Sequence, residues 1–249
     1  MGSIEAFPRT IRTRTLADTW RAAPIPGSGV VRVREARLED FAAIRALQRL
    51  AAPYSAPCSL RQLESRLLAF PAGQMVAVSD GQVVGAASNL IVPWDDRGID
   101  HTWRGVTADG YFTTHDAGAQ TLYGAELFVD TSRRGFSAGR TLHQARRRLC
   151  RRLDLRRIIT TARLPGYGAV REVLTPELYA MRVIWGDIAD AAMRFQMAQG
   201  FQYCGILRNY LPEDADSCGY AALMAWLNPL HRPPGPPAFE NSERPRKCA

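Results

Sequence analysis

Lysine is almost missing from this chain of 249 residues: Lys247 is the only one, so arginine carries the net charge of +8. A basic balance invites a nucleic-acid reading. An arginine bias without lysine can equally reflect coding composition. No nucleic-acid motif accompanies it and no regular aromatic interleaving follows the arginines, so that class ranks last. Cysteines are few and odd in number: Cys58, Cys150, Cys204, Cys218 and Cys248. No two of them sit at metal-ligand spacing, which argues against a disulfide framework or a zinc site. No apolar run reaches the roughly 18 residues of a membrane span. No apolar N-terminal segment reads as a signal peptide. These absences lead to the expectation of a cytoplasmic protein without membrane contact.

What the chain does contain is a 46% hydrophobic share, enough for a real core. Residues 1–28 read as an arm, with Arg12, Arg14 and Arg21 among small and polar residues and Pro24, Pro26 and Gly27 as breakers. Residues 229–249 read as a tail, since Pro233, Pro234, Gly235, Pro236 and Pro237 sustain neither helix nor inner strand. The expected folded domain is 29–228.

Within it, Val31, Val33 and Glu35 begin a strand, and Phe41, Ile44 and Leu47 mark one face of a short helix. Ser59 and Gln62 form a capping box for a second helix striped by Leu60, Leu63 and Leu67. Strands follow at 74–78 and 83–92, joined by Asp80-Gly81, a pair suited to the positive φ of a tight hairpin. Residues 93–120 are a long aromatic-rich insertion. A strand at 122–129, a helix at 139–153, a strand at 157–162, a helix at 188–199 and strands at 201–210 and 219–227 complete the pattern. In the 139–153 helix Leu142, Ala145, Leu149 and Leu153 share a face. Arg146, Arg147, Arg148, Arg151 and Arg152 have three readings: attraction of cofactor phosphates, binding of an anionic partner, or a solvated face, the last being usual for a charge run. Strands and helices mixed in this order predict an α/β (α+β) domain with a central sheet of about seven strands flanked by helices.

The informative stretch runs from Glu126 to Arg140. A strand enters a turn holding Gly135 and Gly139 among small residues, and a long helix follows. Unpaired amides and the dipole at such a helix start form an anion-binding device. Arg133, Arg134 and Arg140 add forked side-chain charge.

Arg134-x-x-Ser137-x-Gly139 resembles the pyrophosphate loop of the GNAT acetyltransferases, with Ser137 where that loop usually has glycine. Residues 192–201, ending in Gly200-Phe201, look like the family's late helix. The family often has a tyrosine four residues before that glycine, acting as acid toward the departing thiolate. Gln196 stands there instead. Residues 102–103, 110–116, 122–126, 163–167 and 210–214 look like GNAT domains found fused to nitrilase-like hydrolases, although this chain is too short to hold that hydrolase. The resemblance covers about 30–228 and implies a long insertion between the third and fourth strands.

It further implies acetyl-CoA (coenzyme A) as cofactor and acetyl transfer to a small-molecule or peptide amine. The cofactor residues would be Leu127, Phe128, Val129, Arg134, Gly135, Phe136, Ser137, Ala138, Gly139 and Arg140, with a strand amide near Val129 facing the oxyanion. Glu126 is the first candidate base, since an acid in an apolar strand needs a reason; a structural hydrogen bond is the competing one. His115 is the second candidate. Tyr203 and Tyr167 are candidate proton donors. Trp103, Tyr111, Phe112 and Tyr167 are candidates for the acceptor pocket. His101, His115 and Asp116 make only a weak case for a metal, and none is expected. A binding-only acyl-CoA module and a homodimer stay open.

Overall fold

The computed structural model describes residues 30–94, 101–132 and 137–232. The expected arm, most of the expected tail, and Arg134, Gly135 and Phe136 of the phosphate loop lie outside the described residues.

Strand β1 (Arg32–Glu35) is followed by helices α1 (Phe41–Ala51) and α2 (Leu60–Ala69). The capping box at α2 forms as expected: Gln62 N donates to Ser59 Oγ at 3.2 Å and Ser59 N to Gln62 Oε1 at 2.7 Å. Strands β2 (Gln74–Ser79) and β3 (Gln82–Val92) form a hairpin. Its turn residues Asp80 and Gly81 have φ of 50° and 74°, as a tight turn of this hand requires. The insertion carries a short helix, α3 (Trp103–Thr107), before β4 (Thr121–Val129) and α4 (Ser137–Arg152). Then come β5 (Arg157–Arg163), α5 (Pro176–Trp185), α6 (Ala191–Ala198), β6 (Gln202–Leu207) and β7 (Ala221–Leu227).

Helix α5 is an element the sequence pattern does not announce. Its apolar residues are spread around the axis, with Tyr179 and Val183 buried but Trp185 62% exposed, so no clean stripe appears. Its ends are nonetheless marked. Thr175 Oγ1 accepts from Leu178 N at 3.2 Å, and Gly186 closes the helix at φ 92°. Helix α6 is shorter than the expected 188–199, because Asp190 caps it by accepting from Met193 N at 2.9 Å. Strand β6 stops short of Tyr210, since Asn209 turns the chain at φ 52°.

The strands form one seven-stranded sheet in the order β1-β2-β3-β4-β5-β7-β6. Only β4 and β5 are parallel neighbours, and the connection containing α4 supplies the crossover such a pair needs. On one face Leu142, Ala145 and Leu149 of α4 pack in a core with Tyr179 and Val183 of α5 and Met193 of α6. On the other, Ile44 and Leu47 of α1 and Leu63 of α2 cover Val76 and Ala86. The insertion adds Phe112, packed with Leu90, Tyr123 and Tyr210. No helix among the described residues is long and apolar enough to cross a membrane.

Candidate active site

The site begins with an interrupted ladder. Strands β4 and β5 pair only from Thr121↔Arg157 to Gly124↔Thr160. Beyond that point β4 runs to Val129 and β5 to Arg163 without pairing to each other, although β5 stays bonded to β7 as far as Arg163↔Ala221. The strands therefore splay. A bulge sits at the same place on the other edge of β4: Asn89 faces Gly124 while Ser88 faces Glu126, leaving Ala125 as the extra residue.

Cavities open on both sides of the gap. A larger one of about 560 Å³ reaches toward α1, α2 and the insertion, lined among others by Tyr54, Cys58, Trp103 and Tyr210. A smaller one of about 210 Å³ reaches toward α6, lined by Phe195 and Gln196. Ala125, Glu126, Leu127, Thr161 and Arg163 line both. The gap between the strands is thus the wall the two cavities share.

The bulge turns the Glu126 carboxylate toward α2, where Arg66 meets it with Nη1–Oε2 at 2.7 Å and Nη2–Oε1 at 3.3 Å. Arg66 is 1% exposed and Glu126 10%. Gln48 Nε2 also donates to Glu126, at 3.3 Å. The rest of the Arg66 guanidinium is satisfied: Nε donates to the Gly110 carbonyl at 2.7 Å, and the plane lies 4.5 Å from the Phe112 ring centroid. Burial acts to lower the Arg66 pKa, but Glu126 and Cys58 together hold the group above its ordinary value. The Cys58 thiol beside them is pushed up to about 11, by burial first and by Glu126 second. At the rim Arg163 grips Asp214 with Nε and Nη2, each at 2.5 Å, and lies 4.1 Å over the Tyr54 ring.

Of the candidates read from sequence, Glu126, Leu127, Phe128 and Trp103 line the larger cavity. Trp103 Nε1 donates to the Ala125 carbonyl at 3.3 Å, across the bulge. Ser137, Ala138, Gly139 and Arg140 form the first turn of α4. Gly139 is fixed by packing as well: a Cβ there would lie 2.8 Å from Phe195 Cζ and 3.6 Å from Val129 Cγ1. Phe112 is fully buried and serves as a platform for Arg66 rather than as a cavity wall.

Other candidates are placed away from both cavities. His115 accepts from Ile91 N through Nδ1 at 3.0 Å and stacks on Phe70 at 4.6 Å, so it pins the insertion to β3. Tyr203 is half-buried on β6 opposite Met224. Tyr167 is buried edge-on between Tyr179 and Tyr220. Tyr111 is 40% exposed and contributes its carbonyl to Ser65. His101 approaches Tyr123 Oη at 3.0 Å rather than His115 or Asp116, and among the described residues no group is arranged to hold a metal ion.

The sequence reading missed Arg66, Arg146 and Arg163. Arg146 is a correction to the reading of a solvated arginine face, because it is wholly buried. The signal was available. Arg66 falls three residues after Leu63, and Arg146 four after Leu142 and three before Leu149, so both lie on the apolar stripes of their helices.

No family model matches the chain. It is 36% identical over 196 residues to the probable hydrolase YhcX of Bacillus subtilis, covering 79% of this chain but only 38% of that protein. It is 29% identical over 171 residues to the uncharacterized N-acetyltransferase YkwB of the same organism, covering 69% of this chain and 75% of that one. The solved structure of the GNAT-like decarboxylase GphF, in complex with isobutyryl-CoA, superposes with a TM-score of 0.65 at 23% identity, over 79% of this chain and 99% of that one. This is the GNAT fold. The mixed seven-stranded sheet flanked by helices is its architecture here.

Proposed function

We propose that the chain is an acyl-CoA-dependent acyltransferase acting on an amine, with acetyl-CoA as the expected donor. The observation that carries this reading is the gap between β4 and β5, open to a cavity on each side and lying beside the helix start at Ser137. The thioester arm of the cofactor would lie in the gap. Its diphosphate would meet the first turn of α4 and the loop with Arg134, Gly135 and Phe136. The CoA ligand of the GphF structure and the acetyltransferase description of YkwB support the same assignment. Kinship with hydrolase-fused GNAT domains is likewise a proposal, supported by the match to part of YhcX. The hydrolase activity named there is not carried over.

In this scheme the amine enters through the larger cavity, between Trp103 and Tyr54. It attacks the thioester carbonyl beside Glu126, which accepts the amine's proton directly or through water. The tether to Arg66 keeps that carboxylate in place. Strand amides of β4 beyond Gly124, on the edge that β5 leaves unpaired, would face the developing oxyanion.

The test is isothermal calorimetry of the chain with acetyl-CoA, followed by thiol release across a panel of small amines and peptide N-termini. Saturable heat and turnover that drops about 100-fold in Glu126→Gln are expected. No heat at millimolar acetyl-CoA overturns the reading. A second reading, a binding-only acyl-CoA module, is favoured by Gln196, which cannot protonate a leaving thiolate. It predicts the heat without the turnover.

A further inference from the structure

The scheme above leaves one buried charge unused. Arg146 is 0% exposed, and a guanidinium in that position is costly unless its charge and N–H groups are matched. Among the described residues one match is made: Nη2 donates to the Glu126 carbonyl. Nε and Nη1 meet no partner among the described residues. The opposite charge acting on it is Glu126, whose carboxylate is already held by Arg66. One turn back on α4, His143 is driven toward its neutral form by burial first and then by Arg146 and Arg147. Burial pushes Arg146 itself down to about 9, still cationic at neutral pH.

Its place gives the charge a use. A Cβ on Gly124 would lie 3.1 Å from both Cζ and Nη1 of Arg146 and 3.3 Å from Thr160 Oγ1. The guanidinium therefore occupies the space that the missing Gly124 side chain leaves. Gly124 and Thr160 are the last paired residues before the strands part, and both line the smaller cavity. The cation thus packs against the backbone at Gly124, where the gap begins. Gln196, 7% exposed in the same cavity, keeps an unpartnered Oε1 and has no proton to give.

We infer that Arg146 is a positioning residue that tunes the apex of the gap for an anion, stabilising the thiolate that leaves when an acyl thioester is cleaved there. The inference rests on the acyl-CoA reading. In the balanced step the neutral amine forms a C–N bond to the carbonyl carbon, and the C–S bond breaks with its electron pair passing to sulfur. The surplus proton of the amine goes to Glu126 or water. The sulfur departs as thiolate, held by the field of Arg146 instead of receiving a proton from a tyrosine, and is protonated by solvent on release.

The experiment is an ultraviolet pH titration of the thiol of CoA bound to the intact chain, with desulfo-CoA as blank and as a measure of affinity without the sulfur. In the unaltered chain the bound thiol titrates about one to two units below free CoA, the usual effect of a nearby opposite charge. Arg146→Met abolishes that shift while desulfo-CoA affinity changes less than about threefold, and Arg146→Lys keeps part of the shift. A bound thiol that titrates alike in the unaltered and Arg146→Met chains, both folded by circular dichroism, overturns the inference and leaves the cofactor reading intact. An unaltered chain that binds neither CoA nor desulfo-CoA removes both. Should Arg146→Met fail to fold, Arg146→Gln decides: it removes the charge while keeping an N–H donor toward the Glu126 carbonyl, and an undiminished shift overturns the inference.

Discussion

Arg66 and Glu126 illustrate how one pair can carry both architecture and chemistry. Arg66 joins α2 to the bulge of β4 and to the insertion through the Gly110 carbonyl. Taking one partner away leaves a buried charge uncompensated, which typically costs about 3–5 kcal/mol. Arg66→Met is therefore expected to lower the unfolding free energy by about that amount in urea titration. The double variant Arg66→Met/Glu126→Gln is expected to recover part of the loss, because it removes both charges. Additive losses in the double variant would show that the two residues do not act as a pair.

At the scale of elements, the site depends on where one strand stops pairing. The bulge at Ala125 sends Glu126 toward α2, while the parting from β5 opens the wall that both cavities share. Helix α6 closes the smaller cavity and is set by its cap. Asp190 is 2% exposed, accepts from Met193 N at 2.9 Å and takes the Tyr179 hydroxyl at 2.9 Å, tying α6 to α5. Asp190→Ala loses a cap worth about 1 kcal/mol and strands a buried hydroxyl at a further 1–3 kcal/mol, roughly. Thermal unfolding is expected to show a loss in that range. Tyr179→Phe, which removes only the hydroxyl, is expected to show the smaller part of it.

At the scale of the whole molecule, the burial of ionisable groups sets the response to acid. His143 is 0% exposed with neither ring nitrogen bonded among the described residues, and its pKa is held well below 6.5. The unfolded chain takes up that proton near pH 6.5 and the folded chain does not, so stability falls as pH drops below about 6.5. The slope from this one group is at most about 1.4 kcal/mol per pH unit. Asp40 and Asp214 act at lower pH. Arg34 first, against desolvation, lowers Asp40. Burial alone would raise Asp214, but Arg163 overcomes it. Their contribution is present above about pH 3.8, the ordinary value, and is lost as pH falls through their lower folded values. His143→Leu is expected to flatten the fall that begins below about pH 6.5 and leave the later one in place, as followed by urea unfolding at stepped pH. An unchanged profile would mean that His143 is already charged in the folded chain.

Much of this was legible along the chain. The period of apolar residues, the Asp80-Gly81 turn and the Ser59 cap are local, because each depends on a few neighbouring residues and on backbone sterics. The order of the strands and of α1, α2, α4 and α6 followed from them, and with it the fold class. Local order could not say which polar side chains lie inside. A single extra residue at Ala125 shifts the pleat, and only the packed sheet shows where it falls. For the same reason His115, Tyr111, Tyr167 and Tyr203, plausible by type, lie outside the lining of both cavities, while Arg66 and Arg146, dismissed or unnoticed as surface charge, are buried beside the gap. The sequence by itself determined the strands, helices α1, α2, α4 and α6, and the Asp80-Gly81 turn, but not α3 or α5. The tertiary structure alone decided which charges share the site, because burial belongs to the whole assembly of elements and not to any one segment.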